Sequence, residues 1–358
     1  MTPKKFQQAI LKWFDSHGRK DLPWQENKTP YRVWVSEIML QQTQVSTVIP
    51  YFKRFMQQFP TIQSLAEAEE NEVLHLWTGL GYYSRARNLH RTAQKIINEF
   101  EGIFPDTVEQ LETCPGIGRS TAGAIISIAF QKKAAILDGN VKRVLARFLA
   151  IDEWPGKKNV EEQLWKFVEK YTPDKRTADY TQAIMDLGAT LCTRTQPQCE
   201  QCPLQKNCRA RELNLEKKLP LAKPRTELPV KQKTFLIFLN QDKHVLLEQK
   251  PAAGIWGNLW SFPEVDGKIS SQEIKKISRQ KFLLDVKSIQ EEKLFRHTFS
   301  HFHLDIIPVI LSVEKQRAKI NSRDTHIWYS LTQPKKIGLP APIKKILEKL
   351  SYATHDFL

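Results

Sequence analysis

The hydrophobic pattern changes period once along this chain, and that single change limits the fold more than any other feature. Through the first half, apolar residues recur every three or four positions, which reads as helices over 2–16, 31–59, 70–77, 84–100, 107–112, 120–130, 141–150, 160–171 and 177–191. Breaks fall at Pro23, Pro30, Pro60, the Gly79-Leu80-Gly81 turn, Pro105, Pro115-Gly116, Gly139, Pro155-Gly156 and Pro173, where helices start or stop. After Cys208 the chain becomes charged and proline-spaced, with Pro220, Pro224 and Pro229 keeping it extended. Beyond that, 234–239, 244–248, 304–311 and 326–329 read as strands, with helical stretches over 271–279 and 342–350. The expectation is a multidomain protein: an all-α domain over 1–215, a linker over 216–230 and an α+β domain over 231–353.

With 358 residues and roughly 150 per domain, more than one core is needed. No apolar run is long enough to span a bilayer and no signal-peptide core follows Met1, so a soluble, cytoplasmic protein without a membrane partner is expected. Basic side chains exceed acidic ones by 15. Residues 231–358 hold 21 Lys and Arg against 13 Asp and Glu, leaving 33 against 26 for the rest, so both halves are basic. That balance favours a polyanion touched by two domains over a single sticky tail.

Five cysteines are unevenly placed. Cys114 stands alone, whereas Cys192, Cys199, Cys202 and Cys208 crowd into one stretch and read as a metal site. Four thiolates suit either tetrahedral zinc or an iron–sulfur cluster, and the single short Cys-x-x-Cys pair leans toward 4Fe–4S.

Leu111 to Ala122 reads as a helix end, a tight Pro115-Gly116-Ile117-Gly118 turn and a new helix start, the form of a helix-hairpin-helix. Gly116 and Gly118 allow backbone amides close to a phosphate, and the helix N-terminus beginning near Ser120 adds partial positive charge, so the turn can hold a DNA backbone without reading sequence. Two carboxylates stand out. Glu37 has Trp34, Leu40 and Gln41 as helical neighbours, partly apolar company that disfavours the ionised form and suits a general acid. Asp138 sits at a helix N-cap before Gly139 and Asn140, where the helix terminus, Lys142 and Arg143 are expected to favour its anion. Opposed environments of this kind suit an acid and an anionic partner cleaving a glycosidic bond through an oxocarbenium-like transition state.

Taken together, Ser36 to Val45, Gly79 to Leu89, the Pro-Gly-Ile-Gly turn, Leu137 to Arg143 and the cysteine quartet resemble adenine DNA glycosylases of the MutY type, in the helix-hairpin-helix superfamily. The resemblance covers nearly the whole chain. It implies a base-excision-repair enzyme that acts as a monomer on double-stranded DNA, hydrolysing the bond to adenine mispaired with 8-oxoguanine or guanine. It further implies Glu37 as the acid, Asp138 as the group stabilising the sugar cation, and a 4Fe–4S cluster on the four cysteines. Tyr82 would wedge into the base stack beside Arg85 and Arg87, which would meet phosphates, and Gln42 would lie near the extruded adenine. Related glycosylase/lyases carry a lysine nucleophile where this chain has Ser120, which favours a monofunctional hydrolase, although Lys142 lies near enough in sequence to react with an abasic sugar.

In the second domain, Gly254 to Pro263 resembles the opening of Nudix domains, yet the Arg-Glu-x-x-Glu-Glu set that holds magnesium in Nudix hydrolases is missing. A domain that binds without hydrolysing follows. Phe299, Ser300 and His301 match the loop by which the MutY-type family recognises 8-oxoguanine. Two rivals stand beside this reading: a bifunctional glycosylase/lyase acting on oxidised pyrimidines, and a non-catalytic sensor of DNA damage.

Overall fold

A computed structural model describes residues 1–224, 227–314 and 325–353. Arg225 and Thr226, within the expected linker, lie outside the described residues. The chain divides into two compact units, Met1–Glu67 with Asn88–Arg225, and Ala68–Arg87 with Thr226–Leu358. No helix among the described residues is long and apolar enough to cross a membrane.

The first unit is helical: α1 (Pro3–His17), α2 (Pro30–Leu40), α3 (Val45–Gln58) and α4 (Ile62–Ala66) precede the excursion into the second unit. Thr2 and Thr29 accept from the amides of Lys5 and Arg32, and a proline follows each cap, so the first two helices start where those signals stand. The helix expected over 31–59 is in fact two. Gln42 takes φ +57, a left-handed conformation that ends α2 and leaves 41–44 as a turn beside Glu37.

The second unit opens with α5 (Glu70–Trp77) and the first turn of α6 (Ser84–Glu99), the unit boundary falling inside α6. The first unit continues with the rest of α6, α7 (Val108–Glu112), α8 (Arg119–Ala129), α9 (Gly139–Phe148), α10 (Lys158–Tyr171), α11 (Thr177–Asp186) and α12 (Arg209–Glu212). The helix expected to reach residue 191 changes at Leu187–Leu191 into a π turn. A Cβ on Gly188 there would lie 2.7 Å from that of Asn140, so only glycine permits this approach to the start of α9.

Helix α9 fixes the cysteine loop. The Arg147 guanidinium is buried and donates from Nε to the Leu219 carbonyl at 2.8 Å, from Nη1 to Thr193 at 2.7 Å and from Nη2 to Arg194 at 3.0 Å. One side chain thus satisfies carbonyls from two loops that form no regular structure.

The second unit is built on a mixed sheet, β1 (Val230–Asn240), β2 (His244–Gln249), β3 (Trp260–Ser261), β4 (Glu264–Asp266), β5 (Val286–Glu291), β6 (Phe295–Thr298), β7 (His303–Val313) and β8 (His326–Ser330). The path is β3-β2-β1-β7-β5, with β4 on β1, β6 on β7 and β8 on β2, and β1 runs parallel to β7. Along β1, Phe235 and Ile237 enter one core with Ile343 and Leu347 of α14 (Ala341–Ala353), while Leu236 and Phe238 enter another with Ile274 and Phe282 of α13 (Ser271–Phe282). Both faces are covered, which explains an unbroken apolar run where a one-sided strand would alternate. Pro308 is tolerated within β7 because its register position faces the interval between β5 and β6, where its carbonyl accepts from the Glu292 amide. The short strands β3 to β6 escape a reading of the sequence because two to six residues carry too little periodicity.

Replacing Arg147 by Met keeps the apolar stem and removes the donors. Chemical denaturation should show a loss of about 3 kcal/mol or more, since buried carbonyls are left unpaired. A midpoint equal to that of the parent protein would contradict this account of the loop.

Candidate active site

Three pieces of the first unit surround one cleft of about 1120 Å³: the end of α2 with its turn, the start of α8, and the segment leading into α9. Glu37, Gln42, Ser120, Asp138 and Asn140 all line it. The segment before α9 is fixed on two sides. Ser120 Oγ accepts from the Leu137 amide at 3.0 Å, and a Cβ on Gly123 would stand 2.2 Å from the Ala135 carbonyl oxygen, so α8 and this segment pack backbone to backbone. Ser120 therefore holds the extended segment that delivers Asp138.

Asp138 caps α9, its Oδ1 accepting from the Val141 amide at 2.8 Å and its Oδ2 from Asn140 Nδ2 at 3.0 Å. Asn140 Oδ1 in turn accepts from Arg143 Nη2 at 2.7 Å, and Arg143 Nε donates to the Cys192 carbonyl at 2.8 Å. A chain of hydrogen bonds thus runs from the carboxylate to the cysteine loop.

Glu37 keeps some accessible surface because its carboxyl opens on the cleft, yet protein packs densely around it on the other sides. Burial, and secondarily the negative charge of Asp138, push its pKa up to about 8. The expectation for Asp138 needs correction. Burial raises its pKa as well, outweighing the donors from Val141 and Asn140 and the Arg143 charge. Lys142, expected to help hold the anion, pairs instead with Glu161 at 2.8 Å and does not line the cleft. The two carboxyls still differ in kind. Hydrogen bonds to Asp138 favour its anion, whereas both influences on Glu37 favour the proton. Of the two, Glu37 is therefore the better placed to hold a proton and Asp138 the better placed to carry the charge.

In the hairpin, α7 and α8 flank a turn closed by the Ile117 amide donating to the Cys114 carbonyl. Gly116 has φ +80 and its missing Cβ would meet that of Asn88 at 2.9 Å, so both conformation and space demand glycine. Gly118 differs: it is the N-cap of α8 with open space where a Cβ would stand, and no side chain caps the helix. Amides of the first turn remain available to an anion.

All four cysteines line a second hollow with Arg147, whose Nη1 lies 3.3 Å from Cys192 Sγ. Burial, followed by the neighbouring thiols, pushes Cys202 up to about 12, while Cys199 and Cys208 are also raised mainly by burial. A bound cation or cluster relieves that penalty. Among the described residues, no three His, Cys, Asp or Glu side chains converge closely enough for a single metal ion.

The second unit holds the remaining expected residues. Tyr82, φ +47 and 48% exposed, caps a turn whose carbonyls at Leu80 and Gly81 accept from Arg85. Arg85 is buried, stacked over Trp77 and Tyr82, and Arg87 donates to the Gly257 carbonyl, so neither is the outward phosphate contact expected of it. Phe299 stacks on Phe302 at 4.5 Å and closes a turn with it, leaving Ser300 and His301 exposed at the tip. Beside the Nudix-like segment, Glu248 and Glu264 are bridged by Lys250 at 2.9 and 3.0 Å. Lys233 also pairs with Glu264, so two ammoniums stand against the two carboxylates.

Sequence reasoning missed Arg147, and it missed Arg19, whose Nε donates at 2.9 Å to the buried Asp186 at the edge of the cleft. The spacing of Arg143 and Arg147, four apart on one helix and 45 to 65 residues from the cysteines, was the available signal for the former.

The raised pKa of Glu37 makes a signed prediction. Because about 8 in the folded protein stands above the ordinary 4.5, the folded state loses stability as pH climbs through that window. Glu37→Gln should therefore differ from the parent by a constant below pH 4.5 and gain on it, by a few kcal/mol, as pH rises to about 8. Urea unfolding at several pH values measures this, and parallel stability curves would contradict it.

Two family descriptions match the sequence: HhH-GPD superfamily base excision DNA repair protein over residues 35–170, and NUDIX domain over 234–349. An adenine DNA glycosylase of Buchnera aphidicola (subsp. Schizaphis graminum) is 42% identical over 97% of this chain and 99% of its own length. The rat protein of the same name is 34% identical over 95% of this chain and 77% of its own. Among solved structures, a thermostable thymine-DNA glycosylase aligns with TM-score 0.52 and 28% identity, covering 59% of this chain and 97% of that one. An endonuclease III–DNA complex shares the fold at TM-score 0.50 and 21% identity over 61% of this chain and 100% of that one. With two carboxyls facing each other across a cleft beside a hairpin, and a relative matched end to end, the chain belongs to the adenine DNA glycosylase family, enzymes of the HhH-GPD superfamily of base excision DNA repair.

Proposed function

We propose that this glycosylase removes adenine mispaired with 8-oxoguanine or guanine and leaves an abasic site. The observation that carries the reading is Glu37, protonated up to about pH 8 and facing Asp138 across the cleft. An adenine extruded into the cleft takes the Glu37 proton as its bond to the sugar breaks. That transfer makes Glu37 an anion beside Asp138, an arrangement that burial penalises in the resting protein. The positive charge developing on the sugar offsets the penalty, so the pair stabilises the transition state more than the bound substrate. Water then completes the hydrolysis. Gln42 and Asn140 are assigned to contacts around the extruded nucleotide, Gly116, Gly118 and Ser120 to the hairpin that holds the strand.

Ser120 offers no amine, and Lys142 is engaged by Glu161 outside the cleft lining, which supports a monofunctional hydrolase. Cys192, Cys199, Cys202 and Cys208 are assigned to a 4Fe–4S cluster. Zinc sites usually pair two short Cys-x-x-Cys knuckles, whereas this chain has one such pair, and all four cysteines line one hollow, which supports the cluster. When bound, the cluster would cross-link the loop and supply positive charge to buried thiolates. The second unit would read the opposite strand through Phe299, Ser300 and His301, with Tyr82 wedged in the stack.

Single-turnover excision tests the acid. Glu37→Gln should lower base release by about two to four decades while duplex binding persists, and the parent rate should fall as pH rises beyond about 8. Duplexes with adenine opposite 8-oxoguanine, guanine or thymine, treated with alkali, test the substrate. Ser300→Ala with His301→Ala should shrink the preference for 8-oxoguanine over guanine by about 1–3 kcal/mol, the scale of one discriminating base contact. Equal excision opposite all three bases by the parent protein would overturn the assignment.

Metal analysis tests the cluster. Protein purified anaerobically should carry about four irons and be brown, and Cys202→Ser should lose both. Stoichiometric zinc in a colourless protein would refute it.

A further inference from the structure

The segment that opens the second domain as a Nudix signature has acquired a different task. Residues 250–259 form a closed loop: the Lys250 amide donates to the Leu259 carbonyl at 2.9 Å, and the Asn258 amide to the Lys250 carbonyl at 3.2 Å. Gly254, Trp256 and Asn258 hold left-handed backbone, and a Cβ on Gly257 would stand 2.2 Å from the Ala252 carbonyl oxygen. Such a loop has one shape.

Both sides of the loop are occupied within the second unit. On one side it grips the helical segment that bears Tyr82. Arg87 Nη1 donates to the Gly257 carbonyl at 2.5 Å, Asn258 Nδ2 to Glu70 Oε1 at 2.5 Å, and Trp260 Nε1 to Asn71 Oδ1 at 3.2 Å. Nearby, Tyr83 donates its hydroxyl to the Leu339 carbonyl at 2.7 Å. On the other side the Trp256 ring packs 5.6 Å from Phe299 and 5.9 Å from His297, under the tip that carries Ser300 and His301. Gly257 and Trp256 are adjacent residues, so the wedge segment and the reading tip meet through one peptide.

We propose that the 250–259 loop is a strut coupling the Tyr82 turn to the Phe299–His301 tip, with Arg87 and Trp256 as positioning residues that set discrimination between 8-oxoguanine and guanine. The proposal rests on the reading of those two elements given above. Insertion of Tyr82 and engagement of the lesion then occur as one event, because a displacement of α5 and α6 is passed to the tip through Gly257. A correct opposite base seats both, and a wrong one seats neither fully.

A double-mutant cycle on the full chain tests this, with the readout being the ratio of single-turnover rates opposite 8-oxoguanine and opposite guanine at matched salt. Arg87→Met and Trp256→Ala should each lower that ratio about tenfold, and the double variant by about the same tenfold, since residues acting through one element are not additive. Arg87→Lys and Trp256→Phe, which keep a donor and a ring, should restore most of it. A role in stability alone would lower both rates together and leave the ratio unchanged, which overturns the proposal, as does an additive loss of about a hundredfold. Where Trp256→Ala does not fold, the cycle is closed with Trp256→Leu. Ser300→Ala with His301→Ala separates the two readings. If that pair lowers the ratio and the strut variants do not, the strut alone is wrong; if it also leaves the ratio unchanged, the lesion-reading role falls and the strut with it.

Discussion

One ten-residue helix carries the arrangement of the catalytic unit. Its N-cap is Asp138 and its last turn holds Arg147, so the cleft carboxylate and the clamp on the cysteine loop are separated by only about 15 Å of rigid backbone. The buried guanidinium of Arg147 has no substitute among its neighbours, because the carbonyls at Thr193, Arg194 and Leu219 belong to irregular chain that cannot pair with itself. Once α9 is fixed, other features become obligatory. Gly188 must be small to let the π turn reach Asn140, and Gly123 must be small to let α8 reach the segment before Asp138. Loss of either contact moves the carboxylate.

The cleft shows how burial is turned to use. Two carboxyls sharing a poorly solvated space are costly as a pair of anions, and the cost is met by keeping a proton on Glu37. In the proposed reaction the same cost becomes an advantage, because a sugar cation would form beside both carboxyls. Glu37 lies in partly apolar surroundings and Asp138 at a helix terminus, so the asymmetry that assigns acid and anion is built by secondary structure as well as by charge.

The second unit keeps its core apart from the charged edge of its sheet. Covering both faces of the sheet with α13 and α14 preserves the core irrespective of what happens at its edge. Lys250 and Lys233 together balance Glu248 and Glu264, and the Trp256 ring of the following loop packs against Phe299. Stability and function are thereby separated, which lets the loop change its role without unfolding the sheet.

Much was legible in the sequence because it depends on local rules. Helix starts at Thr2 and Thr29, the hairpin at Gly116 and Gly118, the cysteine spacing, the change of period near residue 230 and the buried strands of the second domain all follow from backbone preference and periodicity. The raised pKa expected of Glu37 is found as well, with burial as its main cause. What tertiary structure decided was charge and company. Asp138 was expected to be held anionic by the helix terminus, Lys142 and Arg143; Arg143 does favour the anion, but Lys142 turns to Glu161 and burial outweighs the remaining donors. Arg85 and Arg87 were expected to face phosphates, but one is stacked beneath Tyr82 and the other is spent on Gly257. Helix 31–59 was one element by periodicity and two in space, because Gln42 takes a left-handed conformation that an apolar repeat does not signal. Sequence by itself determined the elements and the residue types at the site. Desolvation and the choice of ion-pair partner depend on segments distant in the chain, and those only the folded structure could supply.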